Sequence, residues 1–147
     1  MAFFIFTKNS DNSNVNNLYK IAENINDLNN LNLNQSNYKI IEVTQENFND
    51  VKFGKKSVNF NNNTLSYSSF ITIFSKDNLI NYINSYKNEI KSFTDNNPDS
   101  KVLNLWNNYF NQLNSLNLNT ITFPLNSSLE QYFNDQGQPS LNPLQLP

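Results

Sequence analysis

The chain has 147 residues, with 10 Lys, 12 acidic residues and no Arg, His or Cys, for a formal charge of −2. Without Arg or a basic balance it does not suit a nucleic-acid binder, whose affinity comes largely from basic side chains on phosphates. Without His or Cys the usual zinc sites and the Ser-His and Cys-His nucleophiles are excluded.

Asparagine fills 34 positions. Phe, Tyr, Ile, Asn and Lys dominate, all encoded by AT-rich codons, so Asn reads as the neutral surface filler of an AT-rich gene. Leu, Ile, Val and Phe still total 44 residues. That is about 30 % of the chain, above the roughly 20 % of disordered chains, and the expectation is a folded protein.

"AFFIF" (Ala2 to Phe6) is a short apolar run of β-formers and predicts a buried strand, with "TKNSDNSN" as a polar turn after it. A possible internal repeat follows. "YKIAENINDLNNL" from Tyr19 and "YKIIEVTQENFNDV" from Tyr38 each read as a strand followed by a short helix. Asn24 is placed to cap the first helix and Thr44 the second. In so biased a composition, chance accounts for the repeat equally well.

"KSVNFNNNTLSYSSFITIF" reads as β structure, with Ser57 to Phe60 and Thr64 to Tyr67 flanking an Asn turn. "FITIF" (Phe70 to Phe74) predicts a central buried strand. Two helices come next. Leu79, Ile83, Tyr86, Ile90 and Phe93 are spaced 4-3-4-3, and Val102, Trp106, Tyr109, Leu113 and Leu116 repeat that spacing. Each set lies on one helix face, with Asp77 and Asp99 as the expected N-caps and Pro98 in the joint. The pattern predicts an αα-hairpin over about 78–117 whose stripes pack into the protein's own core. "NTITFPL" reads as a last strand, and Ser127 with Glu130 as a capping box for a short helix.

The expected fold class is thus α+β. Residues 1–135 form a single domain (1–75 mainly strands, 77–117 a helical pair, 118–135 a strand and short helix). Residues 136–147 form an extended C-terminal arm, because Pro139, Pro143 and Pro147 remove donors and fix φ. Leu141, Leu144 and Leu146 would offer the arm's apolar area to a neighbour, with Gly137 as its hinge.

Candidate chemistry is sparse. In "DNNPDS", Asp95, Asn97 and Asp99 match three positions of a calcium loop, yet Ser100 stands where glycine is needed and Trp106 where the bidentate Glu belongs. Two glycines cannot build a phosphate cradle. "KFGKK", with Lys52, Lys55 and Lys56, reads as a solvated turn. No apolar run approaches the roughly 18 residues of a membrane span, and "MAFFIF" is too short for a signal-peptide core. The expectation is an intracellular, non-enzymatic chain without catalytic residues, metal or cofactor, that binds neither nucleic acid nor membrane. Trp106, Tyr109 and Phe110 form an aromatic patch on one helix, a core by default and interface anchors in the sharper reading.

"LYKIAENINDLNNLN", "NFNDVKFGKKSVNFNNNTLSY" and the ending "GQPSLNPLQLP" resemble the small virion structural proteins of contractile-tailed marine phages, the cyanophages and their relatives. The resemblance implies a particle component of the tail, baseplate or neck, made in the host cytoplasm and present in symmetric copies beside other virion proteins. It carries over no individual residue role. The alternative from another class is an intracellular binding module, such as an assembly chaperone or a host-directed inhibitor.

Overall fold

The computed structural model describes residues 1–8 and 15–147, so positions 9–14 of the expected polar turn lie outside the described residues. The fold is α+β. Its described residues form two compact units, 1–71 and 72–146, in place of the expected single domain through residue 135. The reason is that Leu79 to Leu146 close an apolar core of their own.

In the first unit, strand β1 (Ala2–Thr7) is the middle of a three-stranded antiparallel sheet, between β3 (Leu18–Ala22) and β4 (Tyr38–Val43). Its Ala2, Phe4, Ile5 and Phe6 are all buried, as a strand covered on both faces requires. The two repeats flank it. Helix α1 (Ile25–Asn30) follows β3, with the Asn24 side chain accepting from the Asp27 N–H at 2.9 Å. Helix α2 (Gln45–Lys52) follows β4, with the Thr44 hydroxyl accepting from the Asn47 N–H at 3.2 Å. The leading tyrosines, Tyr19 and Tyr38, stack at 4.9 Å between ring centroids. The copies are not equivalent in register: Ile21 faces Phe4, whereas its counterpart Ile40 faces Ile5.

A second sheet has the order β2 (Val15–Asn16), β5 (Lys56–Asn61), β6 (Thr64–Ser69). Asn62 and Asn63 both have positive φ (50° and 61°) and join β5 to β6 through a two-residue turn. Asn tolerates that conformation better than most residues with a side chain. Phe6 meets Phe60 at 5.4 Å and Phe4 meets Tyr67 at 6.5 Å, so rings from both sheets share one core. Phe48 and Val51 of α2 are buried, and the helix packs against β1 and β5.

The run Phe70–Phe74 is not a buried strand. Phe70 is 51 % exposed, Ile71 72 % and Ile73 59 %; Phe74 alone makes a bridge, with Leu125. Among the described residues no neighbouring strand covers 71–73, so the apolar character of this stretch does not translate into burial.

The second unit is helical. Helix α3 (Lys76–Asn96) and helix α4 (Leu103–Asn114) form the expected antiparallel pair. Leu79, Ile83, Tyr86 and Ile90 are buried on the first, and Trp106, Tyr109 and Leu113 on the second. The caps differ from those expected. Ser75 caps α3, accepting from the Asn78 N–H at 3.2 Å, while Asp77 sits inside the first turn. Helix α4 has no side-chain cap, and Asp99 lies in the preceding turn. "NTITFPL" is not a strand; Leu118–Thr120 form a 3₁₀ turn and only Leu125 pairs. Helix α5 (Leu129–Asp135) is capped by Ser128 in place of Ser127, and Glu130 in its first turn is buried.

The C-terminal segment also departs from the expected arm. Gly137, at φ +69°, ends α5, and the Gln138 N–H bonds back to the Phe133 carbonyl at 2.9 Å. This is a Schellman turn, which needs the left-handed conformation that glycine adopts freely. The chain then folds back on its own unit. Pro143–Gln145 form a 3₁₀ turn capped by Asn142, and Leu146 is 6 % exposed within the core. Proline at the first position of such a turn loses nothing, because its missing N–H would have had no partner there.

Candidate functional site

Six residues were singled out by sequence as interface anchors, and they lie together in the second unit. Trp106 and Tyr109 are buried, and their rings pack edge to face at 6.2 Å. Phe110 and Leu141 are half-buried against that core, Leu144 is half-buried, and Leu146 is inside it. Trp106, Tyr109 and Leu146 thus hold this unit together and present no surface to a neighbour, a correction to the anchor reading. Periodicity identified the helix face but not what covered it.

Around these residues lies a cluster that sequence reasoning missed. Glu130 is 3 % exposed, and one of its carboxylate oxygens accepts from the Tyr82 hydroxyl at 2.7 Å. The Tyr86 hydroxyl donates to the Leu141 carbonyl at 2.9 Å. Burial raises Tyr82, Tyr86 and Tyr109 above the ordinary tyrosine range, and the Glu130 charge raises all three further. For Tyr86 the neighbouring Tyr109 contributes more than Glu130 does. These hydroxyls stay protonated. Those of Tyr82 and Tyr86 donate to Glu130 and to the Leu141 carbonyl, whereas the Tyr109 hydroxyl is buried without a hydrogen-bond partner among the described residues. The signal in the sequence was the pairing of Tyr82 and Tyr86 on one helix face, yet nothing local marks Glu130 as their partner.

Beside the cluster, a cleft of about 280 Å³ is lined by Gln112, Asn117, Gln136 and Gln138, by Ser115 and Thr120, and by the Leu116, Tyr132 and Phe133 side chains. Neither lysine nor carboxylate reaches it. Gln112 is already engaged, donating to the Pro139 carbonyl at 2.7 Å. Glu130 does not line the cleft, so the buried carboxylate and the open space are not combined into an acid–base site.

Other candidates fall into structural roles. In "DNNPDS", Asp95 pairs with Lys91 at 3.3 Å, and the Asn97 side chain donates to the Phe93 carbonyl at 2.9 Å. Among the described residues no group of three or more acidic side chains is placed to hold a metal ion. The "KFGKK" turn is not a solvated trio: Lys52 is buried, and Lys56 pairs with Asp50 at 3.0 Å. No helix among the described residues is long and apolar enough to cross a membrane.

The first unit carries the most distinctive surface. Among the described residues, strand β6 is an edge, paired only with β5. In that ladder Asn61 faces Thr64 across the turn, and the Phe70 N–H bonds the Lys55 carbonyl at 2.9 Å. Antiparallel alternation then turns the N–H and C=O groups of Leu65, Tyr67 and Ser69 away from β5. The exposed Phe70 and Ile71 follow directly after the strand.

An α+β protein of two compact units, one a pair of three-stranded sheets and the other a helical bundle, is the class these features define. Comparison with known protein families, characterised proteins and solved structures finds no match.

Proposed function

We propose that this chain is a non-enzymatic structural protein of a contractile-tailed phage particle, a tail, baseplate or neck component that works by binding neighbouring subunits. The observation that carries the subunit-binding part is the open edge of β6 running into exposed Phe70 and Ile71. Monomeric proteins blunt such edges with charge, proline or a bulge, and exposed apolar surface beside them marks contact sites. The phage assignment rests on the three stretches that resemble virion proteins.

Mass spectrometry of purified particles tests this reading. The chain is expected among the virion proteins at a stoichiometry consistent with several copies. Its presence in infected cells but absence from finished particles would replace this reading with that of an assembly chaperone.

A further inference from the structure

We infer that β6 pairs antiparallel with β6 of a second copy of this chain, joining two second sheets into one continuous sheet across a two-fold axis. The inference deepens the subunit-binding reading and rests on it, naming one of the neighbours as the chain itself.

The hydrogen-bonding edge is self-complementary. Leu65, Tyr67 and Ser69 present alternating outward donors and acceptors, and an identical strand running the other way offers the matching set. A two-fold axis brings the same patch of both molecules together, as an isologous interface requires.

Charge permits the contact. Residues 57 to 75 contain no Lys, Asp or Glu, so a second copy meets no like charge along the whole edge. A partner recognised through its charge would find nothing here to pair with, whereas an uncharged copy fits. Lysine on an edge strand is a common device against self-pairing, and β6 has none.

The side chains supply the apolar part. Thr64, Ser66 and Ser68 line the exposed face of β6, so the joined sheet would carry short uncharged side chains across the axis on that face. Phe70 and Ile71, at 51 % and 72 % exposure, give the pair apolar area at the end of the strand. The β5–β6 ladder runs from Asn61–Thr64 to Lys56–Ser69 without a register shift, so no bulge twists the edge away.

Sedimentation velocity on the full chain, across a concentration series, tests this. The wild-type protein is expected as a dimer in equilibrium with monomer. Ser66→Lys combined with Ser68→Lys places like charges against each other across the axis and should weaken the dimer about tenfold or more. Ser69→Pro should do the same by deleting an outward N–H while leaving the β5 ladder intact. Far-UV circular dichroism of the lysine variant should match wild type. So should its melting temperature at concentrations where the wild type is monomeric, since dimerisation itself raises the wild-type value above that range. This decides the matter if the proline variant folds poorly. A control, Asn107→Lys on the exposed side of α4, should dimerise normally. A wild-type monomer at every concentration, or a dimer indifferent to both edge variants, overturns the inference. A solution monomer that is nevertheless found in particles overturns the pairing alone. An edge-dependent dimer absent from particles supports the pairing while the particle reading falls.

Discussion

The Tyr86 hydroxyl donates to the carbonyl of Leu141, joining the middle of helix α3 to a segment 55 residues further along the chain. Three prolines leave that segment poor in backbone hydrogen bonds of its own, and side chains of the helical pair supply what it lacks. Gln112 does for Pro139 what Tyr86 does for Leu141. Residues 136–146 are thereby part of the second unit.

Tyr86→Phe should therefore destabilise this unit by about 1–3 kcal/mol, the range for stranding a buried polar group. Deleting residues 138–147 should do more, because Leu146 leaves the core as well. Near-UV circular dichroism of Trp106 during thermal unfolding reads both. An unchanged melting curve after the deletion would mean that the segment adds nothing to the core.

Trp106→Ala should cost about 3–5 kcal/mol in chemical denaturation. The indole is 2 % exposed and lies between Tyr86 at 6.3 Å and Tyr109 at 6.2 Å. A folded, equally stable variant with impaired self-association would instead restore Trp106 as a surface anchor.

Ser75 and Asp77 can be separated by substitution. Ser75→Ala removes the acceptor for the Asn78 N–H and should cost about 1 kcal/mol. Asp77→Asn leaves that bond intact and should stay within about 0.5 kcal/mol of wild type. The reverse order in urea midpoints would move the helix start to the position the spacing alone suggests.

Alkaline pH should unfold the helical unit in a defined direction. Burial holds Tyr82, Tyr86 and Tyr109 above the ordinary value of 10.0 in the native state. Above pH 10 the unfolded chain releases these protons while the folded one keeps them, so the unfolded state binds fewer protons and stability falls as pH rises. Below that point the three groups are protonated in both states and add no pH dependence. Tyrosinate absorbance for this cluster should appear only together with loss of helical circular dichroism. Full tyrosine ionisation in a still-folded protein would contradict the buried arrangement.

The amino-acid sequence by itself determined the elements whose signals are local. The 4-3-4-3 stripes gave α3 and α4, the Asn turn gave the β5–β6 hairpin, and the two Tyr-Lys-Ile stretches gave a strand and a capped helix each. Periodicity, turn conformation and capping depend on residues within a few positions of one another, so a short window contains the physics. Tertiary structure alone decided which apolar segments were covered. Phe70, Ile71 and Ile73 are as apolar as the residues of Ala2 to Phe6, yet β1 gains a strand on each side and, among the described residues, 71–73 gain none. The proline-rich end reads as a free arm until Tyr86 and Gln112 are seen to reach it, and Glu130 reads as a surface cap until Tyr82 does. Burial is settled by partners tens of residues away, and the free energy of covering an apolar or polar group depends on that partner's arrival, which neighbouring residues do not encode.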